Sequence, residues 1–324
     1  NKKSLILACN QTFKIIEMKH LRIIALLLAA FSFLFISSCQ PQKEEQKAKY
    51  VFLFIGDGMG IAQVNAAEVY QSAFTGGEYV SLVFSDFPSS GLCSTYANNR
   101  FITGSAAAGT ALATGYKTNI GRISMDSIAD SSLVTIAEKA KMKGMKVGII
   151  SSVSIDHATP AVFYAHQPNR SMYHEKSLDL AESNFDFFGG GGFKDPVRED
   201  VNVVDVAKEN GFRYINTADE FRSLQPADEK VIFVNPGLTS GEAMYYAIDQ
   251  PENYITLANI TEKAIDYLDN ENGFFMMVEG GKIDWLCHAN DAGAAVREVI
   301  DFADAVNVAF EFYRQHPEET MIVV

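Results

Sequence analysis

The sequence predicts a three-layer α/β/α sandwich around a mostly parallel central sheet, and three observations carry that expectation. Short apolar runs at 50–55, 146–150 and 274–278 suit strands covered on both faces. Segments of helical spacing lie between and after them, as strand and helix alternate in this architecture. Asp57 and Glu279 stand at the ends of two of the runs, where open α/β sheets bind their ligands.

In chain order, residues 1–17 read as an upstream extension. Met18-Lys19-His20-Leu21-Arg22 and the apolar run over 23–36 have the charged and apolar parts of a secretory signal. Ile36-Ser37-Ser38-Cys39 resembles the lipobox of bacterial lipoproteins, which puts the signal at 18–38 and an acylated Cys39 at the mature amino terminus. A single transmembrane anchor is the competing reading, and the run is short for one. Residues 39–49 form a polar tether, and the folded domain is expected over 50–324. Within it a helix is expected at 61–70, a second at 133–143, an amphipathic one at 255–268 and a long one at 294–313. A further apolar strand begins at 321. The glycine- and proline-punctuated stretch 171–241 reads as connections and a sheet edge over the site.

Composition narrows the function classes. Nearly half of the 324 residues are apolar, enough for a large core. Net charge is −13, and −17 without residues 1–38, which carry five Lys/Arg and one Glu. Such a surface repels nucleic acid, so an anionic substrate needs local positive charge from a metal ion or a placed arginine. The cysteines Cys9, Cys39, Cys93 and Cys287 have no metal-like spacing.

Four clusters carry chemistry. Asp57 lies in Gly56-Asp57-Gly58-Met59-Gly60, where glycines admit an ion close to the backbone; a plain tight turn is the alternative. Ser105 opens the small-residue run 103–115, either as a nucleophile facing an anion at a helix N-terminus or as the helix N-cap. Asp156-His157-Ala158-Thr159, followed by Arg170, supplies mixed oxygen and nitrogen donors and a planar fork for two phosphoryl oxygens; a surface ion pair would also explain the arginine. Asp284 and His288, after Glu279, are four apart on one helical face, which suits a metal or a simple ion pair. His166 and His174 read as ordinary polar positions, and Cys287 faces away from the His288 side.

Taken together, in this order, the clusters resemble the bacterial alkaline phosphatases from about residue 50 to the end. The resemblance implies a phosphoserine enzyme for small phosphate monoesters with two Zn²⁺ and one Mg²⁺. Ser105 matches the phosphorylated serine and Arg170 the phosphate-gripping arginine. Asp57, Thr159 and Glu279 match magnesium-site ligands, Asp57 bridging to the second zinc, while Asp284 and His288 match ligands of the first zinc. His157 matches the position beside the magnesium set, Asp in some members and His in others. With Trp285 it is similar to members that have a modified third-metal environment. A periplasmic or cell-envelope location follows from the leader, and a homodimer is one assembly the resemblance admits.

Two departures stand out. Gly104 replaces the Asp that often precedes the nucleophile and helps to orient the arginine. The family's Asp-His pair follows the strand that begins at 321, and a further His comes later, so these 324 residues read as the front of a longer parent. On that reading the second zinc keeps only Asp57 and Ser105. Competing functions are a phosphodiesterase or sulfatase on the same scaffold, and a non-catalytic lipid-anchored binding protein.

Overall fold

Seven parallel strands set the frame of the molecule: β1 (Tyr50–Gly56), β2 (Lys146–Ser151), β3 (Phe187–Gly190), β4 (Phe212–Ile215), β5 (Lys230–Val234), β6 (Phe274–Gly280) and β7 (Thr320–Val323). Their order across the sheet is β7-β1-β6-β2-β3-β5-β4, and every pairing is parallel. The structure, a computed structural model, describes residues 48–324. The expected extension, signal, Cys39 and most of the tether lie outside the described residues. Lys49 already belongs to the fold, donating its amide to Glu319 O and accepting from Phe274 N.

Side-chain alternation divides the core into two layers. Phe52 and Phe54 of β1, with Phe274, Met276 and Val278 of β6, pack on one face beneath helices α1 (Ile61–Phe74), α8 (Leu257–Leu268) and α10 (Ala292–Gln315). Val51, Leu53 and Ile55, with Phe275 and Met277, face the opposite layer. There the covering helices are α2 (Ser105–Thr114), α3 (Ile136–Met142), the single turn α4 (Ala158–Ala161), α5 (Tyr173–Glu182) and α6 (Val203–Glu209). A sheet apolar on both sides has to be buried on both sides, which is why the strands read as unbroken apolar runs. Helix α7 (Ala218–Ser223) and helix α9 (Lys282–Ala289) complete the set, and none of the described helices is long and apolar enough to cross a membrane.

Helix boundaries follow from capping chemistry. The segment expected from 133 becomes helical only at Ile136, because the Thr135 hydroxyl accepts from Glu138 N while Glu138 returns a bond to Thr135 N. Thr256 and Asn259 do the same for α8. The larger difference is in 171–241. That stretch does form a sheet edge, but as three full strands, β3, β5 and β4, with helices between them. Gly190 explains the disguise: at φ 130° it lies so close to β2 that a Cβ would fall 1.8 Å from Ser151 O. Gly190, which reads as part of a loop, is thus required by contact with the neighbouring strand.

Candidate active site

Three neighbouring strands deliver the first side chains to one edge. In the β1–β6 register Ile55 pairs with Glu279, and in the β6–β2 register Glu279 pairs with Ser151, so Asp57 emerges one residue beyond β1 beside them. Gly58 follows at φ 68°, and a Cβ there would lie 2.8 Å from Asp284 Cα and 2.9 Å from its Oδ1. The loop after β1 therefore reaches α9 only because this residue has no side chain. Gly58→Ala is expected to cost on the order of 2 kcal/mol, read as a lower thermal unfolding midpoint. An unchanged midpoint would show that the loop and α9 can part freely.

Ser105 is the first residue of α2, and the capping position belongs to Gly104, in extended backbone with φ −142° and ψ 164°. The N-cap alternative for Ser105 is therefore corrected: its hydroxyl caps nothing and donates to Asp57 Oδ2 at 2.8 Å. Gly104 stands at the cap in ordinary extended backbone and has no side chain to bond the amides of the first turn, which stay free of a side-chain cap. The free amides of the first turn surround the hydroxyl, a favourable setting for an anion.

A cleft of about 670 Å³ gathers Asp57, Ser105, His157, Arg170, Asp284 and His288, with Trp285 on its wall. Glu279 and Thr159 lie buried beneath it. Burial, followed by the negative charge of Asp57, pushes the Glu279 carboxyl up to about 8 against the opposing Ser151 hydroxyl bond to Oε2. Burial also raises Asp57, while Ser105 pulls the other way. Burial and the charge of Arg170 lower His157 to about 3, so the ring is neutral and its Nε2 accepts from Arg170 Nη2 at 3.3 Å. Trp285 stands edge-on to that ring, with centroids 6.0 Å apart. Asp284 Oδ1 and His288 Nε2 are 3.4 Å apart, and His288 is 80% exposed.

The donor chemistry can be matched to metals. Glu279 Oε1 and Thr159 Oγ1 are buried without a well-formed hydrogen bond, though near enough for the Thr159 hydroxyl to draw the Glu279 carboxyl down, and the carboxylates of Asp57 and Glu279 repel each other. A hard cation with oxygen ligands answers both conditions, so Asp57, Thr159 and Glu279 fit Mg²⁺. The pairs Asp57/Ser105 and Asp284/His288 each offer two donors toward the four of a tetrahedral zinc. Among the described residues no three His, Cys, Asp or Glu side chains converge as one metal set.

Other residues take part without a sequence signal. Ser151 binds Glu279, Ser152 Oγ accepts from Gly281 N, and Lys282 at the start of α9 donates to Met244 O at 2.7 Å. Lys176 is wholly buried; burial pushes it down to about 7, against the favourable charge of Asp156. His166 joins Ser124 O and Glu138, and His174 meets Asp195 O, both away from the cleft. Cys287 Sγ faces Gln63 of α1 rather than the site.

Comparison with known proteins gives a consistent result. The family model for alkaline phosphatase matches residues 48–187 and 191–324. Alkaline phosphatase 4 of Bacillus subtilis (strain 168) is 32% identical over 300 residues, covering 87% of this chain and 62% of that protein. The chain thus spans less than two thirds of that relative. The alkaline phosphatase of the Antarctic bacterium TAB5 superposes with a TM-score of 0.76 at 31% identity, covering 85% of this chain and 78% of that one. A variant of the TAB5 enzyme, at TM-score 0.73 and 31% identity over 85% and 76% of the two chains, carries Mg in a site designated M3.

Proposed function

Because the chain belongs to the alkaline phosphatase family, we propose that it hydrolyses small phosphate monoesters, releasing inorganic phosphate through a phosphoserine on Ser105. The observation that carries this reading is the 2.8 Å bond from Ser105 Oγ to Asp57 Oδ2 in a cleft that Arg170 also lines. Asp57 accepts the hydrogen bond of the hydroxyl, which fixes the Oγ–H direction and leaves the Oγ lone pairs free for bonding. Arg170 grips two non-bridging oxygens, and neutral His157 adds no competing positive charge while accepting one guanidinium N–H. Oγ gives its proton to Asp57 and bonds to phosphorus as the bond to the ester oxygen breaks on the opposite side, the leaving oxygen taking a proton from solvent. Water later bonds to phosphorus and breaks the Oγ–phosphorus bond; Oγ recovers the proton from Asp57, while water's own surplus proton passes to solvent or phosphate.

Asp57, Thr159 and Glu279 would hold Mg²⁺; Asp57 with Ser105 and Asp284 with His288 would contribute to two Zn²⁺ sites, and His157 stands beside the magnesium set. When bound, these ions supply Lewis-acid activation of the hydroxyl and neutralise phosphoryl charge. Export under the 18–38 signal, anchoring through acylated Cys39 and a homodimer complete the proposal, with no nucleic-acid partner.

Parallel assays with p-nitrophenyl phosphate, bis-p-nitrophenyl phosphate and p-nitrophenyl sulfate test the substrate class. The monoester should exceed the others in kcat/KM by at least about a hundredfold. Faster diester or sulfate turnover would move the protein to the phosphodiesterase or sulfatase reading. No turnover together with no bound zinc would favour a binding protein.

A further inference from the structure

We infer that Lys176 is a positioning residue for Arg170, an inference that rests on the phosphate reading of the cleft. Arg170 lies between α4 and α5, outside any helix or strand, and its backbone is held from two sides. Its amide donates to Gly121 O at 2.7 Å, and its carbonyl oxygen accepts from Lys176 Nζ at 2.7 Å. The ammonium also stands over the Tyr173 ring, 3.9 Å from the centroid. Both peptide groups of the anion-binding residue are therefore pinned, and the guanidinium is left to turn about a fixed stem.

The neighbouring residue extends the brace. Ser177 Oγ donates to Asp156 Oδ2 at 3.1 Å, and the same oxygen accepts from Lys194 N at 2.8 Å. Asp156 immediately precedes His157, whose Nε2 meets Arg170 Nη2. Two consecutive side chains of α5 thus bond on both sides of the His157–Arg170 contact, Lys176 to the Arg170 backbone carbonyl and Ser177 to the carboxylate of Asp156.

A lysine with no exposed surface is costly in a position where a leucine or methionine would pack freely. The feature an apolar side chain cannot supply here is the donor to the Arg170 carbonyl. Lys176 meets no group in the reaction itself; it acts on where the guanidinium starts from. A purely structural lysine would contribute stability, and its effect on phosphate binding would be the same with or without Arg170.

A double-mutant cycle separates the two roles. Inorganic phosphate is titrated calorimetrically into the 324-residue protein in buffer containing zinc and magnesium, using wild type, Lys176→Met, Arg170→Ala and the double variant. Circular dichroism and thermal unfolding check that each is folded. Lys176→Met should weaken phosphate about tenfold in the wild-type background and have no further effect once Arg170 is gone. An equal loss in both backgrounds, or no loss in the wild type, overturns the inference. If Lys176→Met does not fold, Lys176→Gln makes the same comparison with an expected loss of about threefold. Folded wild-type protein that binds no phosphate overturns the phosphate reading first and this inference with it, a result distinct from binding that Lys176→Met leaves unchanged.

Discussion

Ser105→Ala should lower kcat for p-nitrophenyl phosphate by at least about a thousandfold while the thermal unfolding midpoint stays within a few degrees of wild type. The two halves of this expectation have separate causes. The activity loss follows because the substitution removes the one hydroxyl that Asp57 orients at the start of α2. Stability is spared because Gly104, not Ser105, caps the helix, and alanine is the best helix former for the position vacated. Trapping after acid quench adds a direct readout: wild type should retain ³²P from a labelled monoester and the variant none. Unchanged turnover in the variant would sink the nucleophile assignment. A large fall in the unfolding midpoint would show that the hydroxyl serves the helix after all.

The second large effect concerns stability, pH and Mg²⁺. Glu279 titrates at about 8 in the fold, raised by burial and by Asp57, against an ordinary carboxylate value near 4 in the unfolded chain. Below that ordinary value both states hold the proton and the stability is intact. As pH rises, the unfolded chain releases its proton first, so stability falls until the folded group also ionises near pH 8. Between pH 6.5 and 9 the chelator-treated protein should lose about 2 kcal/mol from this group. His157 titrates well below this window. His166, raised chiefly through its bond to Glu138 against the effect of burial, loses stability in the same direction, so Glu279→Gln is the necessary control. Mg²⁺ should restore more stability at pH 9 than at pH 6.5, because it competes with protons for the same oxygens. Lys176, at about 7, and Lys282, at about 8, gain stability over the same window in both proteins, so the Glu279 contribution is the difference between wild type and variant. The variant should also lose the Mg²⁺ response. A Mg²⁺ response that survives in Glu279→Gln would place the cation elsewhere.

How far the sequence could be read depended on whether the meaning of a residue was local. Strands β1, β2 and β6 were legible because their apolar runs are continuous, and Asp57 and Glu279 because each stands at the end of such a run. In β4, Phe-Arg-Tyr-Ile at the outermost sheet position carries an arginine that interrupts the run. β3 is Phe-Phe-Gly-Gly, whose glycines look like a turn until β2 is laid beside them. Ser105 was readable as a hydroxyl at a helix start, but the choice between cap and nucleophile waited on the Gly104 backbone. Ser151, Lys176 and Ser177 carried no signal at all. Each is an ordinary residue of a strand or helix, and its partner lies elsewhere: Glu279 is 128 positions from Ser151, and Asp156 is 21 from Ser177.

The sheet order also governs when the molecule can be assembled. Among the described residues β1 is the first strand made, and its neighbours there are β6 and β7, which begin at residues 274 and 320. During synthesis at ordinary ribosomal speed, the Tyr50–Gly56 segment therefore has no native partner for on the order of 10–40 s. Over that interval the segment is a bare, aromatic-rich strand suited to sticking to other chains. The cleft is among the last parts to form, since Asp57 and Glu279 meet only when the two ends of the domain zip together. Until residues 274–280 have been made, the cleft has no native frame on which to form.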